Sequence, residues 1–190
     1  MENKPILIID NYDSFTYNLV HQVAKLDHKY VVWRNDQFKL EDVDAFDRII
    51  LSPGPGIPSE AGLLIPVIKQ YSATKKILGV CLGHQAIAEV FGGELYNLEA
   101  PLHGISRNLS VSQPDLLFNG IPQQFEVGHY HSWAVSTTGF PDELSVTALD
   151  DKGMIMALRH NTLDVRGVQF HPESVLTQYG LDMMRNWIYG

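Results

Sequence analysis

The sequence predicts an α/β fold in which a mixed, mostly parallel sheet is flanked by helices. Short, unbroken and β-branched apolar runs recur in the first half of the chain, as expected for strands covered on both faces. Segments with helical spacing of apolar residues alternate with them, and this order is typical of right-handed crossovers. The 190 residues contain no linker, internal repeat or low-complexity tract, so we expect one domain over residues 1–190.

The first half of the chain supplies the predicted parallel strands and their helices. The predicted strands are Ile6–Ile9, Tyr30–Trp33, Arg48–Leu51 and Ile77–Val80. The predicted helices are a segment carrying Phe15, Leu19, Val23 and Leu26, then Leu63–Tyr71 and Leu82–Phe91. Asp13 stands where an N-cap would open the first helix, and Gly92-Gly93 ends the third.

The second half changes character. From Glu94 to Phe170 apolar and polar residues alternate, which predicts antiparallel strands added to the parallel sheet. These strand-like segments lie near Leu95, Leu109, Val127, Val146, Ile155 and Val168. A final helix is predicted around Tyr179 to Ile188. The expected architecture is therefore an open sheet with antiparallel additions.

Charge and hydropathy exclude several functional classes. The chain has 22 acidic against 14 basic residues and a formal net charge of −8, which repels nucleic acid and anionic membrane surfaces. No apolar run is long enough to span a bilayer, and the start Met1-Glu-Asn-Lys lacks the plan of a secretory signal. We therefore expect a cytoplasmic protein with neither a nucleic-acid nor a membrane partner.

The chain has a single cysteine, Cys81, which excludes an internal disulfide and a cysteine-based zinc site. The run Gly79–Gly83 has the pattern of a nucleophile elbow, in which small flanking residues allow a sharp strand-to-helix turn. The positive end of the following helix favours a thiolate. A buried, chemically inert cysteine is the alternative, since free cysteines are often buried.

His171 and Glu173 supply possible partners for this cysteine. Residues two apart in extended backbone share a face, so the Glu173 carboxylate can hold one imidazole nitrogen while the other faces Cys81. The intervening Pro172 restricts His171 to extended conformations. The alternative is a histidine that merely caps the end of a strand.

An acyl transfer also needs donors for the developing oxyanion. The N–H of Leu82, the residue after the nucleophile, is one candidate, and the Pro/Gly-rich loop after the third strand can offer the N–H of Gly54 or Gly56. Gln85 lies one helical turn beyond Cys81, where its amide can reach a polar substrate. Taken alone, the loop is an ordinary turn and Gln85 a solvent-facing helix residue.

Together these residues resemble the motifs of the class I, triad-type glutamine amidotransferases, in the same order along the chain. The matching motifs are Gly79-Val80-Cys81-Leu82-Gly83-His84-Gln85, Ser52-Pro53-Gly54-Pro55-Gly56 and His171-Pro172-Glu173-Ser174. Within that family, the opening Ile9-Asp10-Asn11-Tyr12-Asp13-Ser14-Phe15-Thr16 and the His-Gln after the cysteine resemble the small subunits of anthranilate synthase and aminodeoxychorismate (para-aminobenzoate) synthase.

The resemblance implies a flavodoxin-like amidotransferase fold and a glutaminase reaction without a cofactor or metal. It implies that Cys81 attacks the glutamine side chain, that His171 transfers protons, and that Glu173 orients the imidazole. The implied glutamine and oxyanion contacts are Gly54, Pro55, Gly56, Leu82, Gln85, Ser132 and Trp133. It also implies a larger, chorismate-binding synthase subunit as partner, in a heterodimer or heterotetramer, that makes anthranilate, aminodeoxychorismate or both.

Three positions depart from the pattern of the family: Ile57 where it often has Thr, Ile105 where it often has Lys, and Trp133 where it often has Leu. These departures touch no triad residue. The competing hypotheses are a stand-alone γ-glutamyl hydrolase using the same triad and a binding module that has lost turnover. A third is a metal site built on His103, His129 and His131, because the last two lie on one strand face.

Overall fold

The structure, a computed structural model that describes residues 4–190, is built on one nine-stranded mixed sheet. Its strands are β1 (Ile6–Asp10), β2 (Tyr30–Arg34), β3 (Arg48–Leu51), β4 (Lys76–Val80), β5 (Leu95–Val111), β6 (Gln124–Val135), β7 (Leu144–Asp150), β8 (Ile155–His160) and β9 (Val165–Val168). The helices are α1 (Thr16–Lys25), α2 (Leu64–Tyr71), α3 (Leu82–Val90) and α4 (Gly180–Tyr189). Short 3-10 turns cover Leu40–Ala45, Pro58–Glu60 and Leu116–Phe118.

The strand order explains how distant parts of the sequence meet. It runs β2-β1-β3-β4-β9-β8-β7-β5-β6, with the first five strands parallel and the remaining pairings antiparallel. The predicted α/β class and the antiparallel additions are confirmed. Strand β9 returns beside β4, with Val80 opposite Val168. The residues that follow these two strands are therefore neighbours.

The core forms one layer on each face of the sheet. Along β1, Ile6 and Ile8 pack in the layer that contains Trp187 of α4, whereas Leu7 and Ile9 pack in the other layer. This alternation is the period-2 pattern of a strand buried on both faces. A substitution such as Ile8→Ala would cost about 2–5 kcal/mol in the free energy of unfolding. The sheet is thus a rigid support for the loops at its edge.

The start of the first helix differs from the prediction. Helix α1 begins at Thr16, its N-cap residue is Phe15, and no side chain caps it. Asp13 instead accepts a hydrogen bond from the N–H of Phe15, at 2.8 Å, in the preceding turn. The Asp10 carboxylate accepts from the N–H of Tyr12 and the hydroxyl of Thr16, both at 2.9 Å, so this turn is held together before the helix starts.

The segments near Leu95 and Leu109 also differ, because they belong to the single 17-residue strand β5. Its pairing with β6 shifts register between Asn97 and Leu102 and again between His103 and Ile105, so the two predicted segments lie on either side of these irregularities. Other boundaries differ by one or two residues. No helix within residues 4–190 is long and apolar enough to cross a membrane.

Candidate active site

A cavity of about 580 Å³ opens at the carboxyl ends of the parallel strands, where open α/β sheets bind ligands. Most of the site residues predicted from the sequence line it: Gly54, Pro55, Gly56, Cys81, Gln85, Ser132 and Trp133. The other three lie outside the lining. His171, Glu173 and Leu82 are buried.

Cys81 stands at the turn between β4 and α3 in a strained backbone conformation. Its φ of 52° lies in the left-handed region, which costs a non-glycine residue of order 1–3 kcal/mol. Both flanking glycines are needed for the turn. A Cβ on Gly79 would lie 2.4 Å from the carbonyl carbon of Gly83, and one on Gly83 would lie 2.5 Å from the carbonyl oxygen of Leu51. The elbow predicted from the sequence is therefore present in the fold.

His171 lies between Cys81 and Glu173. Its Nδ1 atom is 2.8 Å from Glu173 Oε1, and its Nε2 atom is buried without a hydrogen bond to any other described group. Burial of the imidazole lowers its pKa, but the hydrogen bond to Glu173 and the Coulomb attraction of Cys81 and Glu173 outweigh this and raise the pKa of His171 to about 10. The arrangement therefore favours an imidazolium beside the sulfur.

Gln169 is a functional candidate that the sequence reasoning missed. Its Nε2 atom donates to Cys81 Sγ at 3.6 Å, and its Oε1 atom accepts from Gln85 Nε2 at 3.1 Å. Gln85 also donates to the backbone oxygen of Trp133 at 2.8 Å and is only 3% exposed, so the solvent-facing alternative is wrong. The available signal was its position: Gln169 directly follows β9 and lies two residues before His171.

Two unpaired backbone donors lie beside the nucleophile. The N–H groups of Leu82 and Gly54 make no hydrogen bond within the part of the chain that the structure describes. A Cβ on Gly54 would meet Leu82 Cδ2 at 2.7 Å and Asn11 Cβ at 2.6 Å, so only glycine fits between these two residues. Gly56, with φ of 73°, follows at the rim of the cavity. Unpaired backbone N–H groups beside a nucleophile are candidate donors for an acyl-transfer oxyanion.

Comparison with known proteins agrees with this geometry. The family described as "Glutamine amidotransferase class-I" matches residues 7–190. The chain belongs to the class I glutamine amidotransferases. It is 43% identical over 185 residues to "Aminodeoxychorismate/anthranilate synthase component 2" of Bacillus subtilis, covering 96% of this chain and 95% of that protein. It is 41% identical to "Aminodeoxychorismate synthase component 2" of Escherichia coli, covering 97% and 99%.

The solved structures show the same fold. The crystal structure of a glutamine amidotransferase from Thermotoga maritima superposes with a TM-score of 0.71 at 16% identity, and the match covers 99% of this chain and 82% of that one. At this identity the likeness concerns the fold alone. The predicted fold is thus confirmed, and the match to the family model over residues 7–190 confirms the predicted enzyme class.

Aromatic rings close the site of this amidotransferase around the imidazole. Phe15 lies edge-on to His171 with ring centroids 5.0 Å apart, and Tyr130 lies 4.9 Å from the same ring. The Tyr130 hydroxyl is 3.0 Å from Ser174 Oγ. These contacts leave the imidazole little freedom to rotate. Phe15 belongs to the opening motif, for which the sequence alone suggested no contact with the site.

The histidines of the metal hypothesis are engaged with one another and with the backbone. His129 Nδ1 lies 3.1 Å from His131 Nε2, and His131 Nδ1 donates to the oxygen of Trp133 at 2.8 Å. Burial lowers the pKa of both to about 4, so both are neutral near pH 7. His103 packs edge-on against Tyr130 instead. Within residues 4–190, no group of three or more His, Cys, Asp or Glu side chains has an arrangement that could hold a metal ion.

Of the three departures from the family pattern, Trp133 lines the cavity, whereas Ile57 and Ile105 do not. Ile105 is 40% exposed on β5, and Ile57 immediately precedes the 3-10 turn Pro58–Glu60. Trp133 lines the cavity, and its carbonyl is the shared acceptor of Gln85 and His131. That carbonyl contact does not depend on the identity of the side chain.

Proposed function

We propose that this amidotransferase is the glutaminase subunit of a chorismate-using synthase, with anthranilate synthase component II as the main assignment. The second candidate is the corresponding component of aminodeoxychorismate synthase, or a subunit shared by both enzymes. The names of the relatives support this pair, because the Bacillus subtilis protein carries both descriptions. The observation that carries the glutaminase activity is the buried Cys81–His171–Glu173 arrangement at the end of a cavity.

In the first half-reaction, the Cys81 thiolate attacks the side-chain amide carbon of L-glutamine. The carbonyl oxygen takes the negative charge and accepts hydrogen bonds from the N–H groups of Leu82 and Gly54. When the tetrahedral intermediate collapses, the C–N bond breaks and a proton from His171 completes ammonia. A γ-glutamyl thioester on Cys81 remains.

In the second half-reaction, water attacks the thioester carbon while His171 accepts its proton. The same two N–H groups hold the second oxyanion, the C–S bond breaks, and glutamate leaves. Glu173 holds Nδ1 of His171 throughout and stabilises the imidazolium without reacting itself. The residues of this chain perform both steps without a metal or cofactor.

The rest of the cavity binds the amino-acid end of the substrate. Gln85 and the segment Ser132-Trp133 line the same cavity as Gly54, Pro55 and Gly56. The carbonyl of Trp133 is fixed by two donors, so its neighbouring peptide groups are presented in a constant orientation. Such preorganised backbone groups hold a polar substrate at little entropic cost.

The ammonia product requires an acceptor. We propose that residues 1–190 act as one amidotransferase domain whose partner is a larger, chorismate-binding synthase component in a heterodimer or heterotetramer. The relatives support this, since they are named as component 2 of such synthases. Ammonia made in the cavity then passes to the partner rather than to solvent.

The deciding experiment separates glutamine use from ammonia use. The chain is co-purified with its synthase subunit, and the chorismate-derived product is identified as anthranilate or aminodeoxychorismate. Cys81→Ser is expected to abolish synthesis from glutamine and to leave synthesis from ammonium salts intact. Loss of both activities would contradict the division of labour.

The same substitution at two histidines, one in the site and one outside it, provides a matched control. His171→Gln is expected to abolish glutamine-dependent synthesis, whereas His21→Gln, at an exposed position of α1, retains it. A stand-alone γ-glutamyl hydrolase would instead release ammonia at full rate without the synthase subunit and would not respond to its addition.

A further inference from the structure

The opening motif contains a buried polar residue, Asn11, that the proposed mechanism does not use. Asn11 is 2% exposed, and both ends of its side-chain amide are paired. Its Nδ2 atom donates to the carbonyl oxygen of Ser52 at 2.8 Å, and its Oδ1 atom accepts from Asn35 Nδ2 at 3.0 Å. Asn11 therefore ties the turn after β1 to the loop after β3, which carries Gly54.

A second link passes through the Ser52 hydroxyl. The backbone N–H of Asn11 donates to Ser52 Oγ at 2.9 Å, and that hydroxyl donates to the carbonyl oxygen of Pro53 at 2.7 Å. Since the Asn11 N–H occupies a lone pair of the oxygen, the hydroxyl hydrogen is directed toward Pro53. Ser52 is fully buried, so water does not compete for these bonds.

The carbonyl of Pro53 and the N–H of Gly54 belong to the same trans peptide, in which they point in opposite directions. Fixing the Pro53 oxygen therefore fixes the Gly54 N–H. That N–H has no partner among residues 4–190, and Gly54 lines the cavity beside Cys81. A Cβ at Gly54 would clash with Asn11 and Leu82, so the backbone of this loop lies close against both residues.

We propose that Asn11 and Ser52 are positioning residues that hold the Gly54 N–H toward the oxyanion of the glutaminase reaction. The inference rests on the proposed function and adds two residues to it. Neither residue touches the substrate. Both act through the orientation of one peptide group, which must be correct before the negative charge develops.

The test compares a reaction that forms an oxyanion with one that does not. Glutamine hydrolysis needs the oxyanion donors, whereas alkylation of Cys81 by iodoacetamide is a direct displacement at carbon and needs none. Ser52→Ala and Asn11→Asp are measured for kcat and KM with glutamine, alone and with the synthase subunit, and for the rate of alkylation. Ser112→Ala is the control, since the Ser112 hydroxyl also donates to a backbone carbonyl, that of Val146, at an exposed position.

Loss of an oxyanion donor lowers kcat by about 10²–10³, so a misdirected one is expected to lower it by about ten- to a hundred-fold. We expect this loss in both variants, with KM and alkylation rate near those of the wild type. Ser52→Thr, which keeps the hydroxyl, is expected to recover most of the lost kcat. The control is expected to match the wild type in every measurement.

Three results would overturn the proposal. These are an unchanged kcat in both variants, a parallel loss of alkylation in both, or a Ser52→Thr variant as slow as Ser52→Ala that still alkylates normally. If Ser52→Ala does not fold, Asn11→Asp carries the same comparison because it keeps the size of the side chain and replaces the donor to the Ser52 carbonyl with a carboxylate oxygen. A wild-type chain that hydrolyses no glutamine, with or without the synthase subunit, would instead refute the proposed function itself.

Discussion

The Nδ1 atom of His171 lies 2.8 Å from the Oε1 atom of Glu173, and the two side chains are at most 2% exposed. Because solvent is excluded from this pair, its electrostatic interaction is weakly screened. The carboxylate therefore both orients the ring and stabilises its charged form. The neighbouring sulfur of Cys81 contributes to the same raised pKa. Nucleophile, base and orienting carboxylate thus act as one electrostatic unit.

Glu173→Gln tests this unit. The amide keeps an oxygen for Nδ1 but loses the charge that stabilises the imidazolium, so we expect kcat for glutamine hydrolysis to fall by about 10²- to 10⁴-fold. Cys81→Ser is expected to lose all measurable turnover, because no thioester forms. Steady-state kinetics of both variants check the ranking, with Glu143→Gln at an exposed position as the control. Equal losses at Cys81 and Glu173 would show that the carboxylate does more than orient and stabilise.

Gln169→Leu tests the donor to the sulfur. The change removes the hydrogen bond from Nε2 to Cys81 Sγ and also leaves Gln85 with only the Trp133 carbonyl as acceptor. Hydrogen bonds to charged groups contribute about 1.5–3 kcal/mol, so we expect at least about a ten-fold slower alkylation of Cys81 by iodoacetamide near pH 7. The exposed Gln113→Leu is the matched control. Alkylation at the wild-type rate would show that Gln169 does not assist the thiolate.

Trp133→Leu tests whether the departure from the family pattern affects chemistry. The carbonyl that receives Gln85 and His131 belongs to the backbone, so leucine leaves it in place. We expect kcat to stay within about two-fold and KM for glutamine to rise by no more than about five-fold, since only packing at the cavity wall changes. A kcat loss as large as that of Glu173→Gln would mean that the indole itself positions the substrate.

The sequence predicted the parts of the site that depend on local pattern. The elbow at Cys81 follows from chain geometry over a few residues, as do the glycines beside two prolines. His171 and Glu173 are in contact as predicted, but through a turn rather than extended backbone, because the N–H of Ser174 donates to the carbonyl oxygen of His171. Gln169 was missed because its partner Gln85 is far away in sequence and becomes a neighbour only when β9 pairs with β4. The start of α1 was misplaced because Asp10, not Asp13, organises the turn, through contacts that propensity alone does not contain.

The buried histidines predict an acid-sensitive fold. His84 is fully buried and neither of its ring nitrogens is hydrogen-bonded within the described chain, and burial lowers its pKa to about 3. With His129 and His131 at about 4, three histidines stay neutral in the native state yet bind protons in the unfolded chain below about pH 6.5. Stability therefore falls as the pH falls from about 6.5 toward 4. His171 acts in the opposite sense, because its raised pKa contributes stability below pH 6.5 that is lost as the pH rises toward 10.

The variant His84→Leu measures the contribution of one of these three histidines to the pH dependence of stability. An unfolded histidine with a pKa of about 6.5 costs the wild type about 1.4 kcal/mol of unfolding free energy between pH 7.5 and 5.5, and leucine removes this term. Urea denaturation measures the free energy of unfolding at the two pH values. The decrease in this free energy from pH 7.5 to pH 5.5 is therefore expected to be about 1.4 kcal/mol smaller in the variant than in the wild type. His21→Leu makes the same exchange at an exposed position and is expected to leave the difference unchanged. An equal loss of stability in His84→Leu and the wild type would contradict the prediction, because it would mean that the fully buried His84 takes up its proton in the folded state.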